Sequence, residues 1–403
     1  MTPADDWGVY VHIPFCQARC TYCDFNTVTG MDESDHRRYV DALVAEWERC
    51  NPLAGRLASI YFGGGTPSLL DPALIGRVIS AILARPGVCA SDVEITVETN
   101  PGTVTLARLR HLADLGVNRL SIGAQALQDH HLTALNRIHD RAAIDETVAM
   151  ARQAGFSNIS LDAIYGIPNH TMTEWQETVN GLLALSPEHL SFYSLIVEEG
   201  TPLKRAVERR QAVLPADDLV ADMADWAVAR LRGAGLMPYE ISNFARPGYE
   251  SRHNQLYWQM EPYLALGAGA HAYAASRRTW NVRGVRRYME IVEQGGIPQA
   301  GGEDLAPEEE MREFVWLGLR QHRGVDSARF ARRYGISPQQ AFASVLASLA
   351  DKELVLVSKD ALVLTERGRD LANVVARALV DAPVTMAQVD RGHERTSTAV
   401  RLE

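Results

Sequence analysis

The sequence predicts an α/β protein in which six βα units form a parallel sheet, curled into a full or partial barrel, followed by a small α+β domain. Short runs rich in β-branched and aromatic residues (VYVHI from 9, SIYFG from 59, VEITVE from 93, RLSIGA from 119, ISLDAIYG from 159, HLSFYSL from 189) alternate with helical stretches near 36–49, 71–84, 104–115, 141–154, 172–185 and 217–234. Strands separated by helices pair in parallel. Turn signals at Pro298, Gly301 and Gly302 then end the pattern and put a boundary near 300–307.

In such barrels the chemistry gathers at the C-terminal ends of the strands. The first run leads into CQARCTYCDF (16–25), the second into GGGTP (63–67), the third into ETNPG and the fifth into IPN. These four loops are the expected site. Beyond the boundary come a helix with Trp316 and Leu319, a second from Ser327 and a third from Pro338 to Asp351. Two short runs, LVLV from 354 and LVLT from 362, flank a Ser-Lys-Asp turn, and a last helix follows: a winged-helix-like outline. The domains expected are therefore 1–300 and 307–381, with a polar, non-periodic tail over 382–403 that frays.

Composition sets the environment. With 46% apolar and 22% charged residues the chain is globular, and it has no apolar run of the roughly 18 residues a membrane span needs. MTPADDWGVYVHI lacks a basic segment followed by an apolar one, so no secretory signal is read and the cytoplasm is expected. Thiols stay reduced there, and a tight cysteine group then points to a metal or catalytic site rather than to disulfides. A net charge of -10 argues against a general nucleic-acid binder. Between 308 and 381 there are eleven Lys plus Arg and eleven Asp plus Glu, so the winged-helix-like domain lacks the basic footprint of a DNA reader and is read as a scaffold.

Three of the five cysteines, Cys16, Cys20 and Cys23, fall within eight positions. A structural zinc site would add a second pair of ligands, and no such pair is present. A ferredoxin run would add a fourth cysteine nearby, whereas Cys50 and Cys89 are distant. Three thiolates suit a [4Fe-4S] cluster with one iron open to the amino and carboxylate groups of S-adenosylmethionine (SAM). YVHIPFCQARCTYCDF resembles the signature of the radical SAM superfamily, in the branch of the oxygen-independent coproporphyrinogen oxidases. GGGTP is similar to that family's glycine segment, where bare backbone can approach SAM. The resemblance places Tyr10, Tyr22, Gly64 and Glu98 at the cluster-bound SAM. It places Gly65, Thr66, Gln125, Arg137 and Asp162 where the oxidases hold a second SAM.

Two features divide that branch. Two places after the third cysteine the oxidases carry a further cysteine, where this chain has Phe25, preceded by Asp24. YEISNFARPGYESRHNQLYW (239–258) contains His253-Asn254-x-x-Tyr257-Trp258, which resembles the HNxxYW motif of the HemW-type heme chaperones. An imidazole is a common axial ligand of heme iron and aromatic rings supply flat apolar walls, so His253 is the expected heme ligand. MREFVWLGLRQHRGVD (311–326) also resembles the family's C-terminal domain. The resemblance implies heme and heme-acceptor proteins as partners, respiratory and membrane-associated ones among them, and no nucleic acid. Oxidative decarboxylation of coproporphyrinogen III, or the reaction of another radical SAM enzyme of the same branch, is the alternative it leaves open.

Overall fold

A computed structural model describes residues 6–89 and 92–386, and the chain divides into two compact units between Leu305 and Ala306. The first unit is built on β1 (Asp6–Ile13), β2 (Arg56–Gly64), β3 (Glu94–Thr99), β4 (Arg119–Gln125), β5 (Ile159–Tyr165) and β6 (His189–Ser194), paired in parallel in that order. Helices Glu33–Arg49, Pro72–Leu83, Leu106–Asp114, Arg141–Gln153, Met172–Ala184 and Asp217–Gly233 fall where the sequence places them. Their starts have local causes: Asp32, Asp71, Thr105, Asp140 and Thr171 each accept a hydrogen bond from the first turn.

The barrel is partial. β1 and β6 do not pair. β6 continues through β8 (Asn243–Ala245) to β7 (Met237–Pro238), while β1 pairs with β9 (Tyr263–Leu266) and continues into β10 (His271–Ala274), β11 (Arg277–Asn281) and β12 (Gln299–Asp304). This extension of the sheet to twelve strands is a finding that the sequence pattern did not announce, because its strands are only two to six residues long. Gly301 and Gly302, read as turn residues, lie inside β12. A side chain at Gly301 would come within 2.6 Å of the Trp280 ring, so glycine there makes room for an aromatic neighbour on β11.

Period-2 alternation gives the six strands two different faces. Val9, Val11, Ile60, Phe62, Ile95, Val97, Leu120, Ile122, Leu161 and Leu190 are fully or almost fully buried and belong to the apolar core that the helices cover. The alternate positions, Tyr61, Glu98, Arg119, Ser121, Asp162, Ser191 and Tyr193, line one cavity on the inner face. The inner face is therefore polar and turns its side chains toward the cavity.

The second unit has helices Pro307–Leu319, Ser327–Tyr334, Pro338–Ala341, Ala343–Asp351, Glu366–Asp370 and Ala372–Val380. A three-stranded sheet joins β13 (Val325–Asp326), β15 (Ala361–Leu364) and β14 (Val355–Val357) in that order. Phe314, Phe330 and Phe342 are buried in its core. Of the tail expected from 382, Ala382 is buried and its carbonyl accepts from Arg312 Nε at 3.1 Å; residues 387–403 lie outside the described residues.

Candidate functional site

The cysteine loop leaves β1 at Ile13 and is fastened on two sides. Cys16 N donates to Val28 O at 2.9 Å and Val28 N to Pro14 O at 2.8 Å, which closes the loop on itself. His12 Nε2 meets Asn26 O at 2.9 Å, and Asn26 Nδ2 donates to Ala268 O and Arg283 O at 2.9 and 2.8 Å. The sheet extension thus backs the loop. From the other side Asn136 Nδ2 donates to Arg19 O at 2.8 Å, and Arg137 Nη1 lies 3.5 Å from Cys20 Sγ.

Cys16, Cys20 and Cys23 share the wall of a cavity of about 400 Å³ with Tyr22, Gly64, Gly65, Thr66, Glu98, Gln125, Arg137 and Asp162. Eleven expected site residues are thus brought together from five strand ends. Arg137 is anchored by Asn100 Oδ1 at 2.6 Å and Gly123 O at 2.8 Å, and Asn100 Nδ2 in turn donates to Thr66 Oγ1 at 2.8 Å. Glu98 accepts from Tyr61 Oη at 2.9 Å and from Gly64 N at 3.1 Å. Burial still raises its carboxyl to about 7. Asp162 is raised by burial too, although Ser121 and Ser160 donate to it at 2.9 and 3.0 Å.

Gly64 has a φ of +113° and its missing Cβ would stand 2.4 Å from the His12 ring. Gly65 N donates to Ile13 O at 2.8 Å, and a Cβ there would stand 2.7 Å from Phe15 O. These glycines let β2's exit lie directly against the cysteine loop. Gly64→Ala is expected to lower the free energy of unfolding by about 1–3 kcal/mol, because it combines an unfavourable φ with a clash. Chemical denaturation, read by circular dichroism, checks this.

The cavity fits a cluster and SAM. Three thiols on one cavity wall would supply three protein ligands of a [4Fe-4S] cluster, with its fourth iron left to SAM. Burial pushes the Cys23 thiol up to about 11 and raises that of Cys16, so the charge of iron is what would hold both as thiolates. Glu98, Asp162 and the bare backbone of Gly64 supply acceptors and room for an ammonium group and a ribose.

Two expected residues stand elsewhere. Tyr10 lies beside Tyr61, ring centroids 6.3 Å apart, and its hydroxyl meets His12 Nδ1 at 3.0 Å rather than lining the cavity. His253 sits on the short helix Arg252–Trp258 and is 1% exposed. Its Nδ1 meets Ser59 Oγ at 2.8 Å and its Nε2 meets Tyr257 Oη at 2.7 Å, while Glu94 accepts from its backbone N at 3.3 Å. Ser59 and Glu94 belong to the first halves of β2 and β3, so His253 packs toward the floor of the barrel with both ring nitrogens engaged. Its neighbour Asn254 is the residue of that motif which reaches the cavity. Sequence reasoning also passed over Tyr61, Arg119, Ser121 and Ser191, whose signal was the polar inner-face alternation, and Asn100 in the loop after β3.

A cysteine triplet at the exit of the first strand of a parallel partial barrel, opposite a glycine segment and a buried glutamate, defines a radical SAM protein. The Radical SAM superfamily model matches residues 10–182 and the HemN C-terminal domain model residues 305–371. The solved coproporphyrinogen III oxidase (HemN) of Escherichia coli, a radical SAM enzyme, superposes with a TM-score of 0.81 at 26% identity, covering 94% of this chain and 91% of that one. The heme chaperone HemW of Bacillus subtilis is 38% identical over 93% of this chain and 99% of its own length. The mitochondrial radical S-adenosyl methionine domain-containing protein 1 of Bos taurus is 36% identical over 80% and 73%. This chain belongs to the HemW heme chaperone family of the radical SAM superfamily.

Proposed function

We propose that this chain binds heme on a radical SAM scaffold that also carries a [4Fe-4S] cluster and SAM, and that it passes the heme to acceptor proteins in the cytoplasm. One observation carries the reading beyond kinship. Phe25, at the place where the oxidases have a further cysteine, stands 62% exposed on the wall of the cysteine cavity. Ile196 and Tyr193, 67% and 44% exposed, line the same cavity. Exposed apolar side chains around a polar pocket mark a ligand surface, and a flat macrocycle gains about 25 cal/mol for each Å² of apolar area it covers.

His253 is proposed as the iron ligand of an opened form, in which the helix Arg252–Trp258 leaves the barrel floor. The engaged nitrogens of His253 favour a second placement, with heme resting on the rim formed by Phe25, Ile196 and Tyr193. Among the described residues no helix is long and apolar enough to cross a membrane, which supports meeting acceptors without a span of its own. The test is an anaerobic heme titration beside an assay with coproporphyrinogen III, SAM and a reductant. Heme uptake without protoporphyrinogen IX is the expected result. Formation of protoporphyrinogen IX would replace the chaperone reading with the oxidase one.

SAM is proposed to lie at the open iron with Glu98 and Gly64 in its pocket. Glu98→Ala is expected to weaken SAM binding by roughly 1.5–3 kcal/mol, the worth of a charge-assisted hydrogen bond. Because burial raises the carboxyl to about 7, Glu98 is mostly protonated below that pH and ionised above it. Affinity for the cationic ligand should therefore rise between about pH 6 and pH 8, and Glu98→Gln should flatten that rise. Equilibrium dialysis with labelled SAM measures both; unchanged affinity in Glu98→Ala removes this residue from the pocket.

A further inference from the structure

We infer a second metal site, separate from the cysteine loop, in which His130, His131 and Glu174 take one divalent ion of the zinc class. The two histidines sit on the helix Asp129–Ala134 after β4, and Glu174 sits in the first turn of the helix Met172–Ala184 after β5. His130 Nε2 lies 3.1 Å from Glu174 Oε1 and His131 Nε2 lies 3.4 Å from Oε2, so the two imidazoles face different oxygens of one carboxylate. One donor atom from each residue falls within 4.8 Å of the other two. That span suits an ion bound at about 2.0–2.2 Å by nitrogen and oxygen. Two imidazoles and a carboxylate select borderline metals, with a fourth position left to water.

A plain ion pair between Glu174 and its neighbours would explain the contacts but not the nitrogens. His131 is 3% exposed, and its Nε2 lacks the alignment of a hydrogen bond despite its nearness to Oε2. His170, also 3% exposed, packs edge-on against the His131 ring with centroids 5.0 Å apart, and neither of its nitrogens has a partner among the described residues. A buried nitrogen left unpaired costs about 1–3 kcal/mol, so His131 Nε2, buried 3.4 Å from Glu174 Oε2, calls for a ligand. Glu174 is meanwhile held in place by Thr171, whose N and Oγ1 donate to Oε2 at 2.9 and 2.7 Å. Such outer contacts orient a metal-binding carboxylate.

The position gives the site a consequence. The helix carrying His130 and His131 runs straight into Leu135, whose carbonyl accepts from Thr21 N at 3.1 Å, and into Asn136 and Arg137, which hold Arg19 and Cys20. An ion would tie this helix to the next one beside the residues that fasten the cysteine loop.

The test uses the cluster-loaded full chain, dialysed anaerobically against buffered Zn²⁺, with zinc and iron measured by elemental analysis. About one zinc per chain beyond the cluster iron is expected, falling at least roughly ten-fold in affinity in His130→Ala and in His131→Ala with iron unchanged. His130 is 65% exposed at its side chain, so its substitution leaves the fold intact and carries the test should His131→Ala misfold. Absence of zinc uptake in the wild type, or wild-type uptake in His130→Ala together with Glu174→Gln, overturns the assignment.

Discussion

Replacing Cys16, Cys20 and Cys23 together with alanine is expected to abolish the iron and sulfide of the reconstituted chain, from about four irons to none. Cys50→Ala and Cys89→Ala should each retain the full content. The asymmetry follows from which end of the strands each thiol occupies. The triplet lies past Ile13, at the C-terminal end of β1, and lines the cavity. Cys89 pairs with Arg56 at the start of β2, and Cys50 caps the helix that returns to that same end, so both lie at the opposite pole of the barrel. Burial also pushes the Cys50 thiol up to about 12, far from a thiolate at neutral pH. Anaerobic iron and sulfide analysis decides the matter, and retention of about four irons in the triple variant would refute the assignment.

The heme ligand offers the second large effect. If His253 ligates the iron, His253→Ala is expected to shift the absorption bands of bound heme and to weaken its binding, with cluster iron unchanged. It should also lower the free energy of unfolding by about 1–3 kcal/mol for each of the two buried hydroxyls, Ser59 and Tyr257, that it leaves without a partner. Tyr257→Phe separates the two placements. If His253 ligates iron after the helix opens, removing the competing bond to Nε2 should strengthen heme binding. If heme rests on the rim, Tyr257→Phe and His253→Ala both leave its spectrum as in the wild type, and Phe25→Asp removes most of the binding. Burial holds the His253 imidazole down near 3, so in the closed form it is neutral across physiological pH and needs no proton release before meeting iron. The cost of opening, not of deprotonation, then sets how much heme His253 can capture.

How much of this was legible without coordinates depends on the range of the interaction concerned. The six strands and six main helices follow from periodicity and caps such as Asp32 and Thr171, which act over a few residues. The cysteine spacing acts over eight residues, and it announces a cluster by itself. The loops that follow the strands carrying Gly64, Glu98 and Asp162 are expected at one end of the barrel because parallel strands all exit there. Other features required contacts between distant positions. Arg137 meets Cys20 across 117 residues, and Asn26 meets Ala268 across 242. The edge strands β7 to β12 are two to six residues long, and pairing with a neighbouring strand is what makes them strands. The HNQLYW segment shows the difference most directly. Its residues advertise an imidazole beside two aromatics, but a helix turns consecutive side chains by about 100°, so His253 and Asn254 face different surroundings. The segment's own chemistry set what was available to bind heme; the docking of one short helix against Ser59 and Glu94 turned His253 inward and left Asn254 facing the cavity.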